Sequence, residues 1–300
     1  MMYYRRKLIL GVLEEFGGKL NHTNFQKILF LVTRKQTQKY FDFVPYKYGC
    51  FSFQANQDLL TLGKYDLIKS ATTQKSSNWI LTNEDSNFLY ELKKEDQSAI
   101  KSVKRKIDGL VQKDLIKYTY LNYPFYATKS QIANGILSKE EFSKIRKQQR
   151  NIERQEFFTI GYEGISLETY LNKLIINDIK LLCDVRKNSL SMKYEFSKSQ
   201  LRNACESIGI KYVHIPELGI DSDRRQELNT MSDYNRLFEE YENTTLKKNH
   251  QSLKDLFQLV NDYKRVAITC FEKEVCMCHR GRVLKALIAL PDWDIPYKHL

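Results

Sequence analysis

Apolar positions follow two rhythms along this chain. In the first half they recur every three or four residues, the spacing of helices packed by one face. In the second half they form short unbroken runs ending in polar clusters, with helical spacing between the runs. Leu8, Val12, Leu13 and Phe16 predict a helix within residues 3–16, closed by Gly17 and Gly18. Thr23 is placed to cap a second helix, whose face is Phe25, Ile28, Leu29 and Val32. A turn over residues 45–49 leads to a third helix through Leu59, Leu60 and Leu62, which stops at Gly63. "LIKS" and "NWILTNED" read as two short strands joined by a polar, basic turn over residues 72–77, and "EDSNFLYELKK" restarts a helix. Three helices followed by a strand–turn–strand is the order of a winged helix. Residues 93–117 predict a lysine-rich helix with an apolar seam at Ile100, Val103, Ile107, Leu110 and Val111, and residues 139–155 a charged helical linker.

From Glu156 the strands "FFTIGYEG", "IKLLCDVR", "IKYVHIPELG" and "RVAITCFE" alternate with helical patterns, the first capped by Ser166. That alternation predicts an α/β fold, a Rossmann-like parallel sheet with helices on both faces, preceded by a mostly helical winged-helix-like domain. The expected domains are residues 1–138, a linker over 139–155, and residues 156–300.

Charge sharpens this division. Of the net +12, all lies in residues 1–155, which hold 27 lysines and arginines against 15 acids, whereas residues 156–300 hold 21 of each. A basic half joined to a neutral half predicts a module for a polyanion, nucleic acid in the first instance and DNA before RNA, with a solvated basic face as the plain alternative. The third helix offers only Lys64 near its end, so backbone contacts are expected rather than base reading. The aromatics of "FVPYKYGCFSF" suit a core better than base stacking. The chain begins with nothing like a signal peptide, and no run approaches the roughly eighteen apolar residues of a membrane span. Six cysteines are too sparse for a disulfide scaffold, which predicts a cytoplasmic protein with reduced thiols and no membrane partner.

Parallel sheets bind ligands beyond the carboxyl ends of their strands. The predicted strands end in Tyr162, Glu163 and Gly164; in Asp184 and Arg186; in His214 and Glu217; and in Cys270 and Glu272, followed by Cys278, His279 and Arg280 at the start of a helix. Glu163, Asp184, Glu272 and Cys278 are the candidate catalytic residues, the carboxylates for acid–base work and the thiol as a nucleophile whose pKa a helix N-terminus lowers. Tyr162, Gly164, Arg186, Lys193, Glu217, His279 and Arg280 are the candidate substrate- or anion-binding residues, Arg280 as a fork for phosphate at that N-terminus. Inert buried packing is the alternative for Cys278, and a satisfied core histidine for His214.

Two other chemistries fit the letters less well. Cys276 to Arg282 matches Cys-x5-Arg, but a phosphate loop needs a glycine-rich backbone and a cysteine directly after the strand. Cys276, Cys278 and His279 are too close together for the usual paired zinc motif, and a fourth ligand would come from afar, from Cys270 or His214. No metal and no cofactor is assigned.

"TIGYEG", "CDVR", "FSK", "GIKYVHIPELG" and "CFEKEVCMCHR" resemble, in order, the successive motifs of the domain-of-unknown-function 488 family. The resemblance implies a fold and the location of a site, without a settled reaction. Family members usually carry a proline and a Ser-Arg-Lys between Asp-Val-Arg and Phe-Ser-Lys; this chain has Ser189 and Met192 at the proline and the arginine, which removes one anion contact. "FVPYKYGCFSF" resembles small winged-helix-like modules of prokaryotic regulatory and toxin–antitoxin proteins, with Cys50 where those usually have proline. Together these features predict a nucleic-acid-binding protein whose second domain acts on nucleic acid or a nucleotide, in DNA processing or defence. The alternatives are a non-enzymatic DNA-binding regulator sensing a phosphorylated ligand, and a scaffold whose basic half meets an acidic protein.

Overall fold

A computed structural model describes residues 2–73, 76–83, 87–221 and 228–300. The chain forms two units, residues 1–149 and 150–300, each with its own core. Residues 74–75 of the predicted polar turn and residues 84–86 of the predicted "EDSNFLYELKK" helix lie outside the described residues.

The first unit runs α1 (Tyr4–Glu15), β1 (Lys19–Asn21), α2 (His22–Thr33), β2 (Val44–Tyr46), β3 (Gly49–Phe51), α3 (Phe53–Lys64), β4 (Ile68–Thr72), β5 (Ser77–Leu81), α4 (Lys94–Ile107), α5 (Gln112–Asn122), α6 (Ala133–Ile136) and α7 (Lys139–Arg146). β5 lies between β1 and β4, antiparallel to both. Leu8, Val12 and Leu13 of α1 and Phe25, Ile28, Leu29 and Val32 of α2 are buried together, as their spacing requires. The sequence reading missed β1, whose three residues are too few to show alternation. It also displaced the cap of α2: the Asn21 side chain, not Thr23, accepts the Thr23 N–H. The lysine-rich stretch is two helices rather than one, because Gly109 turns the chain at φ +73° and leaves Leu110 and Val111 exposed. Residues 88–92 form turns, and the helix expected there begins only at Lys94. α7 is closed by a Ser138–Glu141 capping box, and its Ile145 is buried with Ile116 and Tyr120. The excess charge is partly spent inside this unit: Arg5 and Arg6 both reach the buried Asp58, at 2.6 and 2.8 Å.

The second unit is α/β. It runs β6 (Glu156–Gly161), α8 (Leu167–Ile176), β7 (Leu181–Asp184), α9 (Lys198–Ser207), β8 (Lys211–His214), α10 (Met231–Tyr241), α11 (His250–Tyr263), β9 (Arg265–Cys270), α12 (His279–Ile288) and β10 (Tyr297–His299). The five strands are parallel in the order β10-β6-β9-β7-β8. The crossovers through α8 and α9 run one way across the sheet, and those through α10–α11 and α12 run back. With right-handed crossovers the two sets of helices cover opposite faces. Every residue of β7 and β9 is buried, which is why these strands read as unbroken apolar runs rather than alternating ones. The edge strand β10 escaped the sequence reading because its three residues are exposed and carry no apolar pattern. Among the described residues no helix is long and apolar enough to cross a membrane.

Candidate functional site

Because the sheet is parallel, β6, β7, β8 and β9 all end on one edge, and a cavity of about 380 Å³ opens there. Tyr162, Arg186, Lys187, Met192, Lys193, Cys270, Phe271 and His279 all face it. Two close backbone approaches shape its surroundings. A Cβ on Gly161 would lie 2.0 Å from the Glu272 carbonyl oxygen, and one on Gly219 would lie 2.1 Å from the Lys187 nitrogen. Only glycine lets β6 and the segment after β8 approach those loops so closely.

Asp184, the last residue of β7, is fully buried. Its Oδ1 accepts from Arg186 N at 3.1 Å and Arg186 Nε at 2.8 Å, and its Oδ2 from Arg186 Nη2 at 2.5 Å and the Tyr212 hydroxyl at 2.6 Å. Arg186 also donates to the Tyr162 hydroxyl at 2.7 Å and the Phe196 carbonyl at 3.0 Å. Burial acts to lower the Arg186 pKa, but the Asp184 carboxylate outweighs it and the value is raised. Burial, followed by the charge of Asp184, raises Tyr212. The expected acid–base group is thus an anchor that orients Arg186 under the cavity. Tyr162 lies flat against Phe196, ring centres 4.3 Å apart, with Phe271 at its edge. Lys193 Nζ donates to the Ile165 carbonyl at 3.1 Å.

The other expected site residues are distributed more widely. Glu163 is exposed and accepts the Lys273 N–H at 2.9 Å, and Gly164 makes the turn into α8 at φ +75°. Glu217 is exposed in the turn after β8, and neither it nor Glu163 lines the cavity. Arg280 departs from its expected role: it is buried, and its guanidinium donates to the carbonyls of Glu272 and Lys273, holding the loop after β9. Cys278 departs too. It stands at the N-cap of α12, but burial pushes its thiol well up, with the neighbouring Cys270 and Glu272 acting the same way. His214 is the satisfied histidine anticipated, its Nε2 within 2.8 Å of both Ser189 Oγ and the Arg186 carbonyl. The Cys-x5-Arg alternative does not assemble, since Cys276 is exposed in a turn and Arg282 pairs with Glu242.

Cys270, expected at a strand end and as a distant fourth zinc ligand but not among the candidate catalytic or binding residues, is the residue the fold brings to the centre. It ends β9, between β6 and β7. Its Sγ lies 3.4 Å from His279 Nδ1 and 3.3 Å from Glu272 Oε2. His279 Nε2 lies 2.9 Å from the Val185 carbonyl. A carbonyl only accepts, so Nε2 carries the proton and Nδ1 turns its lone pair toward Cys270. Cys270, Cys278 and His279 are each about 1% exposed, and their donor atoms lie within 4.8 Å of one another. Phe196, Phe271 and Tyr212 were likewise missed. Only the position of Cys270, last in an unbroken apolar run at a strand end, could have signalled it.

The second unit is therefore an α/β domain with a cation- and aromatic-lined cavity at the carboxyl edge of a Rossmann-like sheet. The family described as "Domain of unknown function DUF488" matches residues 166–287, from the cap of α8 to the last turn of α12. No curated protein matches the chain.

Proposed function

We propose that the protein binds nucleic acid through its basic first unit and acts on nucleic acid or a nucleotide at the cavity of its parallel sheet, in a DNA-processing or defence role. The cavity lining carries this reading. Phe271 offers an exposed ring backed by Tyr162, Lys187 and Lys193 offer positive charge above the Asp184-paired Arg186, and Cys270 and His279 bring chemistry to its wall. Rings and cations together suit a base and its phosphate.

In the first unit, the order is α1-β1-α2-β2-β3-α3-β4-β5 with β1 against β5; apart from the β2–β3 pair between α2 and α3, it supports a winged-helix-like module. α3 exposes Gln57, Leu60 and Lys64, and β4 exposes Lys69 and Ser70, which favours contacts to phosphates over reading of bases. DNA is favoured over RNA because the major groove of the B-form admits such a helix whereas that of the A-form does not. One observation favours the non-enzymatic alternative, a regulator sensing a phosphorylated ligand: Asp184 and Glu163, two groups suited to acid–base work, are engaged by Arg186, Tyr212 and Lys273.

The test is binding of the full chain to mixed-sequence DNA and RNA over a salt series, with substrate turnover followed in parallel. About six phosphate contacts would weaken binding roughly a thousandfold between ~50 and ~200 mM salt. Absence of binding at low salt overturns the nucleic-acid reading. Turnover by the parent chain that is lost in His279→Gln, a change in the cavity wall, supports an enzyme, and a ligand response without turnover in the parent chain supports the regulator.

A further inference from the structure

We infer that Cys270, Cys278 and His279 form a zinc site at the wall of the cavity, and that Glu272, which lies against Cys270 outside that cluster, turns in as the fourth ligand when the ion binds. This goes beyond the nucleic-acid reading and does not depend on it.

The three side chains converge from two elements. Cys270 ends β9, while Cys278 and His279 open α12 after the intervening loop. Spacing in the chain favours Cys276 beside the Cys-His pair and leaves Cys270 a distant fourth, but Cys276 is exposed and it is Cys270 that the fold brings in. A thiol–imidazole pair for nucleophilic attack would account for Cys270 and His279 but would leave the second buried thiol, Cys278, without a role. A metal accounts for all three.

The distances fit. A tetrahedral ion bound at ~2.3 Å to sulfur and ~2.0 Å to nitrogen places those two ligand atoms about 3.5 Å apart. Cys270 Sγ and His279 Nδ1 are 3.4 Å apart, and Cys270 Sγ and Glu272 Oε2 are 3.3 Å apart. The imidazole is also oriented as a ligand. Its Nε2–H is held by the Val185 carbonyl, which aims the Nδ1 lone pair inward, and a metal-bound histidine characteristically gives its other N–H to such an acceptor. Arg280 adds support around the site by tying down the carbonyls of Glu272 and Lys273, which fixes the loop that carries the carboxylate. Two thiolates and an imidazole select a borderline-soft ion such as zinc and reject magnesium and calcium, which require oxygen ligands. Zinc binding displaces the thiol protons to solvent, so affinity rises with pH. Cys270 and His279 also face the cavity, which places the ion next to whatever ligand enters there.

The experiment uses the full chain, stripped with a chelator and titrated with zinc chloride and then cobalt chloride. One equivalent of either metal is expected to bind. The cobalt form is expected to show the visible bands of a tetrahedral ion and a thiolate-to-metal charge-transfer band with the intensity of two thiolates. Cys276→Ser should leave binding and spectrum unchanged. Cys270→Ser and Cys278→Ser should each halve the charge-transfer band and weaken binding at least a hundredfold, and Glu272→Gln should weaken it about tenfold. The inference is overturned if the parent chain binds no zinc at micromolar concentrations, or if its cobalt spectrum is octahedral or lacks thiolate. It is equally overturned if the Cys270 and Cys278 variants bind as the parent does. The cobalt spectrum of the parent counts the thiolates without any variant, so a substitution that fails to fold leaves the test decisive.

Discussion

At the scale of the residue, the buried charges are the most informative side chains. Asp184 and Arg186 are almost completely buried, and each exhausts much of the other's hydrogen-bonding capacity. Asp184→Ala strands a buried guanidinium and a tyrosine hydroxyl, and is expected to cost about 3–5 kcal/mol in urea unfolding. Asp184→Asn, which keeps one acceptor, should cost less. Lys27 offers a different readout. It is fully buried beneath Gly49 and Tyr120 with its ammonium 3.3 Å from the Cys50 carbonyl, and burial pushes its pKa down. Between that lowered value and the ordinary one of about 10.4, the unfolded chain holds a proton that the folded chain has released, so stability rises with pH through the window. Below the lowered value both states are charged and the full cost of burying the ammonium is present. Lys27→Met removes this dependence. The stability difference between parent and variant, measured from pH 7 to 10, should therefore change in the parent's favour by at most about 1.4 kcal/mol per pH unit. A flat difference would mean that the ammonium is not desolvated.

At the scale of the element, helix starts are built locally and can be perturbed one unit at a time. Ser52 caps α3 by accepting the Ala55 N–H, and Gln26 braces the same residue by accepting its N–H. Ser166 caps α8 by accepting the Thr169 N–H. Each unit carries one tryptophan, Trp79 in β5 and Trp293 after α12. Ser52→Ala is expected to remove about 1 kcal/mol from the transition reported by Trp79 and leave that of Trp293 in place, and Ser166→Ala to do the reverse. Single-tryptophan variants followed by fluorescence in denaturant separate the two, and equal shifts at both probes would show that the units unfold together. Elements with strong periodicity were legible for the same local reason. The apolar faces of α1 and α2 and the buried runs of β6, β7 and β9 are written in consecutive residues. β1 and β10 are short edge strands held by pairing partners distant in the chain, and the break at Gly109 is a single backbone angle that helical spacing on either side conceals.

For the molecule as a whole, composition and period in the chain set the division into a basic half and an α/β half. They also determined the parallel character of the sheet and the edge on which its strands end together. Those follow from composition, from period, and from the rule that parallel strands end together. Which of the residues at that edge act together was decided only by tertiary structure. Strand order places β9 between β6 and β7, although it comes last of the four in the chain, and so brings Cys270 beside Tyr162 and Arg186. The loop after β9 folds back to put Cys278 and His279 against the strand that precedes them, and turns Arg280 inward onto backbone carbonyls while leaving Cys276 outside. The charge on Arg280 and the helix start at Cys278 are visible in the sequence. Their direction and their desolvation are not, because both depend on what the rest of the chain packs around them.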